Sequence, residues 1–196
     1  MPSLPPESPA PAGYPLSRGS SVVVLVDLQE SLLSAIPDRQ ALLSRCSLLA
    51  KTAERLSIPV LVTTQNAVRL GITAPELTAG FDADTPLFDK MTFSAARCPA
   101  FMEYLRETGR KQVVVCGVET HICVSQSAID LKEMGFAVTV VADACSARSV
   151  ERHKLGMERI RDLGVLPAAA EAVVYEWLEQ AGTDEFRDVL KLVKSQ

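Results

Sequence analysis

The sequence predicts an α/β domain of three layers, in which a Rossmann-like open sheet of five or six mostly parallel strands is flanked by helices. Three observations indicate this fold. Short apolar runs rich in β-branched residues, typical of parallel strands buried on both faces, recur along the chain. Helical patterns separate these runs, so that strands and helices alternate. The 196 residues show no internal repeat, and a chain of this length suits a single domain.

Each element has its own signal in the sequence. Apolar runs predict strands at 21–27, 57–64, 87–90, 112–116, 136–142 and 164–166. Apolar residues at helical spacing predict helices at 38–57, 99–108, 149–163, 168–178 and 183–193, and a further helix that carries Cys123 and ends near Gly135. The first strand–helix–strand unit should have the usual right-handed crossover.

Two segments depart from this alternation. Residues 1–19 are rich in Pro, Ser and Gly, which predicts a flexible N-terminal lead-in before a single domain at 20–196. Residues 65–90 are predicted to be mostly loop, with one short turn and the short strand that ends at Lys90. A long loop after the carboxyl end of a strand is more often functional than idle, so we expect it to face a substrate.

Composition excludes several classes of protein. The net charge is −4 and the Lys and Arg residues are scattered, so we expect no binding to nucleic acid or to a membrane surface. No apolar run approaches the roughly 18 residues of a membrane span. The N-terminus lacks the basic start and apolar core of a signal peptide, so the cytoplasm is the expected location. The five cysteines form no C-x-x-C pair, which predicts free thiols and no structural zinc.

Cys123 is the first candidate for chemistry. It is predicted in the first turn of a helix that begins at the carboxyl end of a strand, where ligands bind in open α/β sheets. The partial positive charge of a helix N-terminus can lower the pKa of a thiol and so favour the nucleophilic thiolate. The alternative is a buried structural thiol, because free cysteine is among the most buried residue types.

Asp27 and Lys90 also fall at the carboxyl ends of predicted strands. An aspartate there can instead be a turn former or a helix cap, and a lone lysine is usually solvated. If the two converge with Cys123, the carboxylate can take the thiol proton and the ammonium can favour the charged forms of both neighbours. N–H groups of the helix N-terminus can stabilise an oxyanion. This set suits hydrolysis of an amide or related acyl compound through a thioester.

Motifs of other enzyme classes are missing. The chain has no G-x-G-x-x-G after its first strand, no P-loop and no G-x-S-x-G, so we expect no cofactor. A cysteine–histidine pair is disfavoured. His121 lies two residues from Cys123 on a helix and so points to another face, while His153 lies in a charged helix and is expected at the surface.

Four short blocks of the sequence resemble signatures of the isochorismatase-like cysteine hydrolases, and the resemblance covers about residues 20–195. They are Val22–Gln29, Lys90–Ser94, Cys116–Val124 and Val141–Arg148. The segments Thr64–Asn66, Leu70–Gly71, Pro75–Leu77 and Glu185–Lys194 further resemble the subgroup of isochorismatase domain-containing proteins. The resemblance implies that the Asp–Lys–Cys triad of the family is Asp27, Lys90 and Cys123. It also implies a cis peptide bond between Val118 and Glu119, with the N–H groups of Glu119 and Cys123 aimed at the oxyanion.

Two departures from the family limit what is carried over. Its nicotinamidases have an Asp-x-His…His metal site after the second strand, but residues 65–76 contain neither His nor Asp. We therefore expect no metal and do not expect nicotinamide as the substrate. Its true isochorismatases act through the aspartate without a cysteine nucleophile, whereas this chain keeps Cys123, which favours a thiol-dependent hydrolase.

The first hypothesis is thus a hydrolase of a small molecule that acts through Cys123. We expect Gln29 to orient the substrate or a water molecule, and Phe93 and the loop that begins at Gln65 to line the pocket. A homo-oligomer is expected from the family. The alternatives are a non-catalytic interaction or assembly protein that retains the fold, and a redox-sensing thiol.

Overall fold

A computed structural model describes residues 13–79, Phe81 and residues 84–195. At its centre is one sheet of six parallel strands, ordered β3-β2-β1-β4-β5-β6. The strands are β1 (Ser21–Val26), β2 (Val60–Gln65), β3 (Leu87–Lys90), β4 (Gln112–Val118), β5 (Ala137–Ser146) and β6 (Leu166–Ala168). The predicted fold class is confirmed, and all six strands are parallel.

The helices form a layer on each face of the sheet. They are α1 (Glu30–Leu33), α2 (Arg39–Arg55), α3 (Ala67–Leu70), α4 (Pro75–Thr78), α5 (Pro99–Glu107), α6 (Ser125–Glu133), α7 (Val150–Asp162), α8 (Ala170–Leu178) and α9 (Asp184–Lys194). The helices α2, α8 and α9 pack together, while α6 packs against α7. The chain moves one way from β1 to β3 and the other way from β4 to β6, so the right-handed crossover rule puts α2 on the opposite face from α6 and α7, and α8 and α9 pack on the face of α2.

Three departures from the predicted elements lie at the carboxyl ends of the strands. The strand predicted at 136–142 runs on to Ser146, so Asp143 lies within β5 and not at its end, where its Oδ1 accepts a hydrogen bond from the N–H of Ala170. The predicted loop at 65–90 contains two single-turn helices, α3 and α4, as well as β3. Cys123 lies in a π-helical turn, Thr120–Val124, that precedes α6.

Residues 13–19, predicted as part of the flexible lead-in, are held against the domain. The hydroxyl of Tyr14 and the N–H of Leu16 both donate to the carboxylate of Glu176, at 2.7 and 2.9 Å, and the side chain of Leu16 is buried. Packing against α8 therefore orders the chain before residue 20, which composition could not reveal. Residues 1–12 of the predicted lead-in lie outside the described residues.

Gly117 lets the two central strands approach each other. It pairs with Val26 across β1 and β4, and its φ of +124° is in the region that favours glycine. A Cβ atom at this position would lie 2.2 Å from the carbonyl oxygen of Val26. The glycine is thus required where the ends of β1 and β4 deliver the residues of the candidate site.

Candidate active site

The candidate site lies where the strand order reverses, between β1 and β4. Asp27 follows β1, Lys90 is the last residue of β3, and Cys123 lies in the π-helical turn after β4. Open α/β sheets bind ligands outside the carboxyl ends of their strands at such a point. The structure therefore brings the three predicted residues to the same edge of the sheet.

Asp27 and Lys90 form a buried ion pair. The Lys90 Nζ donates to Asp27 Oδ2 at 2.7 Å, and both side chains are almost completely inaccessible to solvent. The second carboxylate oxygen, Asp27 Oδ1, accepts a hydrogen bond from the hydroxyl of Thr63 at 2.7 Å. Asp27 has a φ of +52°, an uncommon conformation for a residue other than glycine, and the chain turns out of the sheet here. Such outliers cluster at functional sites.

Cys123 is buried beside this pair, in surroundings that favour the protonated thiol at neutral pH. Burial raises the pKa of Cys123 well above its usual value, and the negative charge of Asp27 and a hydrogen bond to it raise it further. Lys90 acts in the opposite direction but does not compensate. The expectation that the helix N-terminus lowers this pKa is therefore wrong, because desolvation and the adjacent carboxylate outweigh its effect.

The turn that carries Cys123 is fixed by its own backbone and by packing against α7. The Val118–Glu119 peptide bond is cis, as the resemblance implies. The carbonyl oxygen of Glu119 accepts hydrogen bonds from the N–H groups of Ile122 and Val124, which closes the turn. Behind it, α7 packs so closely that a Cβ atom on Gly156 would lie 2.8 Å from the backbone nitrogen of His121.

The side chain of Glu119 is fixed by Arg148, which follows β5. The guanidinium donates to both carboxylate oxygens, with Nη2 at 2.6 Å from Oε1 and Nε at 3.0 Å from Oε2, and the N–H of Arg148 adds a bond of 2.8 Å to Oε2. Burial acts to raise the pKa of Glu119, but the hydrogen bonds from Arg148 outweigh it and hold this pKa below its usual value. Glu119 is therefore a carboxylate at neutral pH.

The two histidines lie beside this turn and not in the ion pair. His153 is half-buried, and its Nδ1 lies 2.8 Å from the hydroxyl of Thr120. His153 therefore supports the turn and does not have the surface position that was expected for it. Desolvation lowers the pKa of both His121 and His153, which favours neutral imidazoles. His153 also lines a cavity of about 160 Å³ with Cys145 and Ser146, but no residue of the Asp27, Lys90 and Cys123 group lines that cavity.

Gln29 and Gln65 are bonded to the protein itself. The amide of Gln29 is completely buried: its Oε1 accepts from the N–H of Gln65 at 2.7 Å, and its Nε2 donates to the carbonyl oxygen of Gly71 at 2.6 Å. Gln65 Oε1 accepts a hydrogen bond from Lys90 Nζ at 2.9 Å, and its Nε2 donates to the carbonyl oxygen of Met91. Gln29 therefore holds the loop after β2, and Gln65 holds Lys90.

Phe93 lies just beyond Lys90 and is about half exposed, at 53%. Met91 before it, and Val68 and Ile72 on the loop after β2, are also exposed apolar side chains. The hydrogen bond between Gln65 and the carbonyl of Met91 joins the two segments that carry them. An apolar surface therefore borders the carboxyl end of β3.

Sequence reasoning missed Thr63 and the supporting contacts of the turn. The available signal for Thr63 was a polar residue at the end of the apolar run of β2, which by itself indicates nothing about its partner. Pairing of Thr120 with His153, and of Glu119 with Arg148, joins residues about 30 positions apart and left no local pattern.

The described part of the chain has neither a cluster of metal ligands nor a membrane-spanning helix. It contains no group of three or more His, Cys, Asp or Glu side chains placed to hold a metal ion. None of its helices combines the length and apolar character that crossing a bilayer requires.

Comparisons with known proteins agree on one family. A family model described as the isochorismatase domain matches residues 21–172. The secreted isochorismatase effector Isc1 of Phytophthora sojae is 34% identical and aligns over 89% of this chain and 85% of its own. Isochorismatase domain-containing protein 2 of Xenopus laevis is 33% identical over 91% of this chain and 85% of its own.

Two solved structures share the fold. The MAR1 ribonuclease of Caenorhabditis elegans superposes with a TM-score of 0.85 at 32% identity, over 91% of this chain and 92% of that one. The YcaC gene product of Escherichia coli, an octameric hydrolase of unknown specificity, superposes with a TM-score of 0.82 at 26% identity, over 92% and 95% of the two chains.

Proposed function

The chain belongs to the isochorismatase family, and we propose that it hydrolyses a small, uncharged amide or related carbonyl compound through a thioester on Cys123. The predicted resemblance to this family, and to isochorismatase domain-containing proteins, is confirmed. The family and the hydrolase fold support hydrolysis in general. The thiol mechanism is supported above all by one observation, the burial of the Cys123 thiol beside the Lys90-paired carboxylate of Asp27.

The proposed reaction begins with a neutral thiol. As the substrate binds, the Cys123 S–H bond breaks, its proton moves to the Asp27 carboxylate, and the sulfur forms a bond to the carbonyl carbon. The N–H groups of Glu119 and Cys123 stabilise the oxyanion. Asp27 then gives the proton to the leaving nitrogen as the C–N bond breaks. In the second half of the reaction, Asp27 takes a proton from a water molecule whose oxygen forms a bond to the carbonyl carbon, and the C–S bond breaks as this proton returns to the sulfur of Cys123. Lys90 stabilises the negative charge of the site throughout.

The charges around Cys123 favour an uncharged substrate. Lys90 is paired with Asp27, and Arg148 is paired with Glu119 at 2.6 Å. Because both cations already have carboxylate partners, an anionic substrate would have to break one of these pairs, one of which is buried. The exposed side chain of Phe93 offers an apolar surface near the site. We therefore expect a small amide with an apolar group.

The ribonuclease name of the C. elegans structure suggests RNA as another substrate. Binding to a polynucleotide depends on cationic side chains that contact phosphates. This chain has a net charge of −4, and its Lys and Arg residues are scattered along the sequence. A small molecule is therefore the favoured substrate. The non-catalytic assembly protein is not favoured, because such a protein has no need of a buried acid, lysine and thiol in contact.

We also propose that the protein is a cytoplasmic homo-oligomer. The exposed apolar side chains Val68, Ile72, Met91 and Phe93 are suited to a subunit contact, and the E. coli relative is octameric. The five free cysteines suit a reducing compartment, although one relative carries the word secreted in its name. Light scattering of the purified protein and fractionation of the source cells test these two expectations.

The decisive experiment is a hydrolysis screen with purified protein. Small amides with apolar groups are incubated with the wild type and with Cys123→Ser and Cys98→Ser, and release of the amine is measured. We expect Cys123→Ser to lower kcat/KM at least about 10³-fold. The control, Cys98→Ser, changes a half-buried thiol at the start of α5 and should leave the activity unchanged.

Mass spectrometry of the quenched reaction should detect an acyl group on Cys123. A short single-stranded RNA is included as a further substrate. Cleavage of RNA, or amide hydrolysis that survives in Cys123→Ser, would show that the proposed reaction is wrong.

A further inference from the structure

Two polar side chains at the end of β2 contact the buried ion pair of Asp27 and Lys90. Thr63 and Gln65 are two positions apart, so they lie on the same face of the sheet, whereas Thr64 between them lies on the opposite face. Thr63 is completely buried. The Asp–Lys–Cys group that the sequence indicates does not include either residue, although both contact it.

Thr63 and Lys90 each donate a hydrogen bond to a different oxygen of the Asp27 carboxylate. The hydroxyl of Thr63 donates to Oδ1 and the ammonium of Lys90 donates to Oδ2, each at 2.7 Å. The backbone also contributes, since the N–H of Asp27 donates to the carbonyl oxygen of Thr63 at 3.1 Å. With one donor on each oxygen, the plane of the carboxylate is defined, and the remaining lone pairs are left for the thiol of Cys123.

Lys90 has an independent support. Gln65 is its partner in the register of β2 and β3, and Gln65 Oε1 accepts from Nζ at 2.9 Å. The carbonyl of Met91 can only accept, so it holds the nitrogen of the Gln65 amide and turns the oxygen towards the ammonium. Loss of the Thr63 hydroxyl should therefore release Asp27 Oδ1 without releasing Lys90.

We propose that Thr63 is a positioning residue, whose hydroxyl orients the Asp27 carboxylate to receive the proton of the Cys123 thiol. This inference rests on the proposed function. The hydroxyl also places a partial positive charge against the carboxylate that faces Cys123. Three charged groups act on this thiol, namely Asp27, Lys90 and Glu119. Without the hydroxyl, the charge of Asp27 is less compensated, so the thiol should release its proton at higher pH.

The test measures labelling of Cys123 by iodoacetamide as a function of pH, read by peptide mass spectrometry. Valine has nearly the shape of threonine but no hydroxyl. Because the thiol stays mostly protonated over the accessible pH range, the rate of labelling follows the small thiolate fraction, and we expect Thr63→Val to slow labelling about tenfold at each pH between 7 and 9. Thr63→Ser, which keeps the hydroxyl, should retain the wild-type profile.

Thr64→Val is the matched control. Thr64 is equally buried and its hydroxyl also donates to a carboxylate, Asp89 Oδ1 at 3.0 Å, but on the other face of the sheet. We expect this variant to lose a comparable amount of stability in urea while its labelling profile stays unchanged. If Thr63→Val does not fold, Thr63→Ala also removes the hydroxyl and is compared with Thr63→Ser in the same way.

An unchanged profile in the variant without the hydroxyl, or equally slowed labelling in Thr64→Val, would overturn the inference. Because labelling needs no substrate, this result is separate from the hydrolysis screen. If Thr63→Val labels at the wild-type rate while turnover still depends on Cys123, only the role of Thr63 is rejected. If turnover does not depend on Cys123, the proposed function is rejected.

Discussion

Thr63 and Asp27 are joined by two hydrogen bonds, one through the backbone and one through the side chains. The N–H of Asp27 donates to the carbonyl oxygen of Thr63, and the hydroxyl of Thr63 donates to Asp27 Oδ1. The backbone bond continues the contact between β1 and β2 for one residue beyond β1, where Asp27 has a positive φ. Strand pairing and the candidate catalytic carboxylate therefore depend on each other.

The buried ion pair should make either partner indispensable to stability. Lys90→Met leaves the carboxylate of Asp27 buried without its cation, and we expect a loss of about 3–5 kcal/mol in the free energy of unfolding in urea at pH 7. The double variant Asp27→Asn/Lys90→Met removes both charges and should regain at least about half of that loss. If the double variant is no more stable than Lys90→Met, the unpaired charge of Asp27 is not the cause of the loss.

Gly117 should tolerate no side chain, because a Cβ atom would meet the carbonyl of Val26. We expect Gly117→Ala to lose more than about 3 kcal/mol of unfolding free energy. Gly135→Ala is the control, since Gly135 also has a positive φ, +90°, but open space around it, and a loss of about 1 kcal/mol is expected. Equal losses in the two variants would show that the backbone conformation, and not the contact between β1 and β4, explains the requirement.

Stability should fall at alkaline pH partly because of Cys123. Its pKa is raised in the folded protein by burial and by Asp27. Above a pH of about 8.5 an unfolded thiol loses its proton while the folded one keeps it. The unfolded state then binds fewer protons, so the free energy of unfolding decreases as pH rises. This contribution is complete below that pH.

The measurement is the free energy of unfolding in urea between pH 7 and pH 10, for the wild type and for Cys123→Ala. The pKa of Cys116 is also raised, by its hydrogen bond with Cys46 and by burial, and burial raises that of Cys145. Both thiols are present in the two proteins, so the difference in slope isolates Cys123. We expect a steeper decline in the wild type; parallel curves would mean that the pKa of Cys123 is not raised.

The sequence was a good guide where the signal is local. A run of five apolar, mostly β-branched residues predicted β1, and the end of this run placed Asp27 at the carboxyl end of the strand. The last helix was predicted to begin at residue 183, and the hydroxyl of Thr183 caps this helix by accepting from the N–H of Phe186. Prediction from the sequence failed where tertiary packing determines the local structure. Leu16 is buried although it lies in a segment rich in Pro, Ser and Gly, and β5 continues beyond Asp143 because β4 offers further pairing partners.

The α/β class and the candidate residues Asp27, Lys90 and Cys123 could be predicted from the sequence, because side-chain periodicity and short motifs are properties of neighbouring positions. The strand order, the two hydrogen bonds from Thr63 and Lys90 to Asp27, and the raised pKa of the Cys123 thiol became apparent only in the folded chain. Hydrogen bonding and desolvation of a buried group depend on the groups that face it, and local sequence does not contain this information. Here the groups that face Asp27 come from strands 36 and 63 residues further along the chain.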